Sequence, residues 1–492
     1  MFAPRIAQQR FAVLVVGVIA AVSAAACGNE GSESSACQSP QTAQALGKTY
    51  QVGPGKAYAS LNDVVSLLAA GDLVEVYGQS SPYAGGINFS KSGTKASPIT
   101  VRGIRTNGAR PVISGGDNTV QFDGSHYVFE GFDVKSGNVR NIFHHADDIS
   151  IKDSVVHDCV GHGILGADED SGSLTLDHVE VYGCGNGTTK HPIYMATDEV
   201  AYPGSVFRMQ FCYVHDGKGG NNVKSRAERN EIYYNWIEGA AYREIELIGP
   251  EGADPALKRE DSDVVGNVFV KSAQGSNVAR IGGDGTGDTS GRYRFVNNTF
   301  ILAANSPSAI QVFDHIESVE LHNNVLYRLG GGSIQVFHTG EAQWVNGESI
   351  AGSNNWLPAG SDVATFTNTK TGGDPGFANS GQHDFRLATS SALIGQAALP
   401  TASAAGHAFP SPLAAPAFSP PLHVVDAADK ATARASSGKV SIGAYENGAQ
   451  ASAPVNVGSS TGTPGAGGSP AAEGSNGGTG NPSSPLGGNS CP

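Results

Sequence analysis

Between Asn221 and Ile248 the chain reads NNVKSRAERNEIYYNWIEGAAYREIELI, which puts Asn222, Lys224, Arg226, Arg229, Glu231, Arg243, Glu244 and Glu246 within 28 residues. Only 15% of the whole chain is charged, so this is where ionic chemistry is concentrated. A basic nitrogen, guanidinium groups and carboxylates can together pair with an anion, remove a proton and return one. Farther along the same pattern stand Tyr194, Arg280, Gln311 and Gln335, each the middle residue of an apolar triplet.

Those triplets identify the element that carries them. They are Ile193-Tyr194-Met195, Val223-Lys224-Ser225, Ile245-Glu246-Leu247, Ala279-Arg280-Ile281, Ile310-Gln311-Val312 and Ile334-Gln335-Val336. In a strand the outer members of a triplet enter the core and the middle one faces out. A second strand series begins at Ile151, Leu176, Met209, Ile232, Val264, Phe295 and Leu321, at intervals of 25, 33, 23, 32, 31 and 26 residues. The two series interleave without a break from 193 to 336. Repetition at this period, in a chain with 66 Gly and only 3 Met, predicts an all-β solenoid of stacked coils. Asn235, Asn267, Asn298 and Asn324 share one register and are expected to stack at the coil corners. Cys159 and Cys184 also share a register, 25 residues apart, which predicts neighbours close enough for a disulfide.

Stacking turns the middle residues into an outward column: Tyr194, Lys224, Glu246, Arg280, Gln311 and Gln335. Adjacent coils lie about 4.8 Å apart, so two-coil neighbours fall within about 10 Å. Alternation places Asn222 and Arg226 beside Lys224, and Glu244 beside Glu246, with His191 just ahead of Tyr194. Loops at 197–204, 249–262 and 282–291 are expected to wall a groove over the column. The set suits β-elimination on an acidic polysaccharide. Arg280 or Arg226 pairs with a uronate carboxylate, Lys224 is the base, and Tyr194 gives a proton to the leaving oxygen. A glycoside hydrolase using Glu244 and Glu246, about 7 Å apart by strand rise, is a second reading. Binding or adhesion without turnover is a third, and an exposed ladder of ion pairs is the structural alternative.

The flanks set the domain limits. Arg5 and Arg10, the apolar run from Phe11 to Ala21 and the small residues from Ser23 to Ala26 read as a signal peptide over 1–26. Cys27 then stands at a lipoprotein acylation site. Residues 27–48 are a polar tether, 49–395 the solenoid, 396–448 an irregular wrap with a closing segment, and 449–492 a Gly/Ser/Pro-rich tail. An exported envelope or secreted monomer is expected, touching membrane only through Cys27. A net charge of −14 disfavours nucleic acid as a partner. The six cysteines show no CxxC pair or zinc spacing, and neither a metal nor another cofactor is expected.

Three resemblances sharpen these expectations. YQVGPGKAYASLNDVVSLLAAGDLVEVYG, from Tyr50, resembles the opening of pectin-lyase-like right-handed parallel β-helices, which implies a capping helix around Leu61, Val64, Val65 and Leu68. VKSRAERNEIYYNWIEG resembles the segment around the catalytic lysine of chondroitinase B and related alginate lyases, and Lys224 matches that lysine. The likeness departs in two places. The arginine those enzymes carry one coil on would fall at Glu246 or Leu247, and the calcium-binding acids before the lysine are replaced by Asp216-Gly-Lys-Gly-Gly, so calcium is not implied. Residues 185–300, with HPIY, NNVKSRA, YNWI and VNNTF, are also similar to exported bacterial β-helix proteins.

Overall fold

The computed structural model describes residues 47–447, apart from 250–260, 272–275, 284–290, 314–315, 340–348, 363–365, 405, 410, 414, 426–429 and 435–437. The expected signal peptide, the tether, Cys27 and the C-terminal tail lie outside the described residues.

From Thr49 to Gly372 the strands pair in parallel and stack into a β-helix of three sheets. One coil is traced from Arg229. Sheet 1 takes Arg229–Tyr233, sheet 2 takes Trp236–Glu238, sheet 3 takes Ile245–Leu247, and the chain rejoins sheet 1 at Asp261–Val265. Sheets 1 and 2 are continuous where Ile149–His157 and Leu174–Tyr182 run across both. Among the described residues sheet 3 stacks ten short strands from Ile87–Phe89 to Phe337–Thr339. Because neighbouring coils hydrogen-bond to one another, each buries an interior that it could not bury alone.

Ile151, Leu176, Met209, Ile232, Val264, Phe295 and Leu321 pair in one unbroken register, and all are fully buried. Between sheets 1 and 2 five successive coils turn on a residue with positive φ followed by asparagine. The turn residue is Tyr234, Gly266, Asn297, Asn323 or Asn354, and the following Asn235, Asn267, Asn298, Asn324 and Asn355 form the corner stack. Asparagine at the turn position is favoured because it tolerates the left-handed region. In the stack, Asn298 Nδ2 donates to Val264 O at 2.8 Å and to Asn324 Oδ1 at 3.1 Å. Its Oδ1 accepts from the backbone N–H and the side chain of Asn267, both at 2.9 Å. Asn298→Ala therefore strips partners from several buried groups, and its expected cost is about 3 kcal/mol, read as a lower denaturation midpoint.

The amino-terminal cap differs from expectation. In place of one amphipathic helix the chain makes two single-turn 3-10 helices, Leu61–Asp63 and Val65–Leu67. Asp63 Oδ2 accepts from Ser60 N–H at 2.8 Å and closes the first turn. The adjacent β-branched Val64 and Val65 disfavour an α-helix, and a three-residue turn already buries Leu61 and Val64 together.

Cys159 and Cys184 are joined by a disulfide across neighbouring coils, with Cα atoms 4.5 Å apart. After Gly372 the parallel pattern ends in an antiparallel pair, Phe377–Asn379 with Asp384–Leu387. The segment that follows wraps sheets 1 and 2: Trp236 stacks near Phe385 and His423, Tyr234 O–H bonds Ala415 O, and Arg292 contacts Ala408. Sheet 3 carries the predicted column on its outer surface.

Candidate functional site

The register of sheet 3 runs Leu165, Tyr194, Lys224, Glu246, Arg280 and Gln311, one residue per coil. Val223, Ile245, Leu247, Ala279 and Ile281 are fully buried beneath, so core packing fixes the direction of each outward side chain. The next member is His338, paired with Gln311, rather than Gln335. Ile334-Gln335-Val336 has the right alternation but lies in the corner, where Gln335 O and Val336 O accept from Ala309 and Ile310.

Glu246 is the centre of the column. Its side chain is only 4% exposed and is surrounded by cations from three directions. Oε1 accepts from Arg280 Nη1 at 2.7 Å and stands 3.6 Å from Arg243 Nη1. Oε2 accepts from Asn221 Nδ2 at 2.7 Å and is 4.0 Å from Lys224 Nζ. Lys224 Nζ lies 5.0 Å from the centroid of the Tyr194 ring, and the Arg280 guanidinium stacks 3.8 Å over Phe313. Arg243 Nη2 donates to Gln311 Oε1 at 2.7 Å, and Asn277 donates to the same oxygen at 3.1 Å. Burial, opposed by Glu246, leaves the Arg243 guanidinium below its ordinary pKa. An open depression of about 550 Å³ adjoins this end of the column, lined by Tyr242, Arg243, Asn277, Asn305, Gln311 and His338 among others.

The residues expected around the column divide. Tyr194, Lys224, Glu246, Arg280 and Gln311 stand together on it. Asn222 and Glu244 do not: both are fully buried, because the chain turns the corner between sheets 2 and 3 just before the strand and alternation lapses there. Glu244 accepts from Asn222 Nδ2 at 2.9 Å and lies 3.6 Å from Lys271 Nζ, also fully buried. Burial pushes the Glu244 carboxyl up to about 8, although Lys271 pulls the other way. The two glutamates thus share no face. Arg226 is buried and donates to Gly249 O at 2.8 Å, and His191 is buried with Nδ1 accepting from Asn221 N–H at 2.9 Å.

Glu231 belongs elsewhere, to a charged column on sheet 1 through Arg208, Glu231, Asp263, Arg294 and Glu320, and Arg229 pairs with its Glu231 and Asp263 from the side. Two corner residues not expected beside the column complete the site: Asn221, and Arg243, which belongs to the charged cluster and lies three residues from Glu246. Of the expected walls, 197–204 is described, with Asp198 capping the turn through Val200 and Ala201. Residues 250–260 and 284–290 lie outside the described residues. Among those described, no group of three or more His, Cys, Asp or Glu side chains is arranged to hold a metal ion.

The imidazoles near the site make stability depend on pH. Burial lowers His144 to about 4 and His162 and His191 to about 3, with the charges of Lys190 and Lys224 adding to the effect at His191. Below about pH 6.5 the unfolded chain binds protons that these three refuse, so each costs about 1.4 kcal/mol per pH unit toward its folded pKa. Glu244, protonated in the fold over this range, opposes them with one such increment. At His157 and His215 burial is outweighed by hydrogen bonds to Asp133 and Asp158 and to Glu180 and Asp216, and their pKa rises. Their contribution is complete below pH 6.5 and is lost at higher pH. Tm is therefore expected to peak near pH 6.5 and fall steadily toward pH 4.5; a flat profile over that interval would contradict these assignments.

No protein-family model matches the chain, and no curated protein matches it. Among solved structures it is similar to a pectate lyase at 12% identity, covering 82% of this chain and 97% of that one, with a TM-score of 0.46. An alginate lyase from a Paenibacillus strain aligns at 16% identity, covering 66% and 98% with a TM-score of 0.39. A lacto-N-biosidase from Eubacterium ramulus aligns at 13%, covering 63% and 67%, with a TM-score of 0.39.

Proposed function

We propose that this chain cleaves an acidic polysaccharide by β-elimination at the outward column of sheet 3. The observation that carries the reading is the set of three cations, Lys224, Arg243 and Arg280, within 4.0 Å of one buried carboxylate and beside a phenol. A uronate carboxylate pairs with the outer faces of Arg280 and Arg243, and this neutralisation acidifies the adjacent carbon-bound proton. Lys224, as the uncharged amine, takes that proton. The released electron pair forms the carbon–carbon double bond and expels the glycosidic oxygen, which takes a proton from the Tyr194 hydroxyl. Gln311 and Asn277 offer amides to sugar hydroxyls in the neighbouring depression. The products are an unsaturated uronate at one new end and a free hydroxyl at the other.

Mixing the protein with alginate, polygalacturonate and glycosaminoglycans tests this directly. An ultraviolet absorbance from the unsaturated uronate is expected. Reducing ends without it would mean hydrolysis, and binding without either product would mean a non-catalytic surface protein. Export, with Cys27 acylated as the mature amino terminus, belongs to the same proposal, since such polymers are met outside the cell. The intact mass of the mature amino terminus checks it.

A further inference from the structure

We infer that Glu246 is a positioning and specificity-determining residue: a resident carboxylate that holds Lys224, Arg243 and Arg280 in one array and limits that array to one substrate carboxylate. The inference rests on the reading of this column as a uronate site. Glu246 lies under its cations, with a side chain 4% exposed against 16%, 15% and 12% for Lys224, Arg243 and Arg280. Both of its oxygens already accept hydrogen bonds from the protein, from Arg280 and Asn221 at 2.7 Å each. It therefore acts through its neighbours and does not touch the sugar. Burying a carboxylate here makes sense only as a partner for those cations.

Charge counting gives the specificity. Three cations against one carboxylate leave two positive charges. Lys224 must be uncharged to accept a proton, so the competent array carries one, which a single uronate carboxylate neutralises. Beyond the array a further anionic group meets a protein of net charge −14. Unsulfated uronate polymers should therefore be preferred over their O-sulfated forms.

Glu246→Gln preserves the shape, removes one negative charge and breaks mainly the Asn221 contact. The probes are alginate, polygalacturonate and chondroitin, each unsulfated and chemically O-sulfated, with Kd followed against salt concentration. Wild type is expected to bind the unsulfated form about tenfold tighter. In Glu246→Gln that preference should vanish or reverse, and the dependence of log Kd on log salt should steepen by about one charge. Its kcat should fall at least tenfold while binding tightens, because the array is no longer held in place. A purely structural role would weaken binding and turnover together. Glu246→Asp, which keeps the charge, should retain the wild-type preference and salt slope. Should the Gln variant fail to fold, Arg243→Gln removes one charge in the opposite sense and must weaken binding of the unsulfated polymer and flatten the slope. Wild-type preference for sulfated polymer, or an unchanged preference in Glu246→Gln, overturns this inference alone. If none of the polymers is bound or cleaved, the proposed function falls and the inference with it.

Discussion

Lys224→Ala is expected to lower turnover of the cleaved polymer by about two to four orders of magnitude, the usual worth of a general base. Two observations set that size. Lys224 is the amine of the column, and its Nζ stands 4.0 Å from Glu246, beyond hydrogen-bond length. Glu246 keeps its hydrogen bonds from Arg280 and Asn221 when the lysine is removed, so no buried charge is stranded. Val223 and Ser225, which anchor the strand, are untouched. Stability should fall by about 1 kcal/mol, the worth of a partly exposed ion pair. Single-turnover kinetics beside a thermal melt separates the outcomes. Unchanged cleavage would remove Lys224 from the site, and an unfolded variant would make the column structural.

Glu244→Ala, two residues from Glu246, should behave in the opposite way. It is expected to cost about 2–4 kcal/mol of stability, for the cavity and the buried donors left without an acceptor, while leaving turnover per folded molecule near wild type. Glu244 accepts from Ala240 N–H and Asn222 Nδ2 and stands 3.6 Å from Lys271, all inside the fold. Its removal leaves the Lys271 amine buried, with Ala240 O at 2.9 Å as its remaining hydrogen-bond partner among the described residues. The double change Glu244→Leu with Lys271→Met removes both ends of the pair and should recover most of the loss, because apolar groups of similar volume need no partner. Denaturant titration of the single and double variants reads this. A catalytic role for Glu244, as a glycosidase pair with Glu246 would require, predicts lost turnover in both.

The contrast between these neighbouring glutamates marks how far the sequence could be read. Periodicity alone specified the solenoid, the register from Ile151 to Leu321, the asparagine stack and the column from Tyr194 to Gln311. Each follows from a period-two pattern repeated once per coil, which local geometry enforces wherever the strand is regular. Cys159 and Cys184 were legible for the same reason, since equal positions on successive coils must be neighbours. Alternation ceases to inform where a strand of three or four residues meets a corner. There Asn222 turns inward to Glu244, and Glu244 to Lys271, 27 residues beyond it, while Arg243 and Asn221 come to Glu246 from outside the strand. Which charges stay on an open face was likewise decided by tertiary structure. Arg294 and Glu320 align along sheet 1 much as Lys224 and Arg280 do along sheet 3, but Ser411 and Ala404 arrive from 117 and 84 positions away to bond them. Burial under a distant segment depends on where the chain returns, and no local period encodes that.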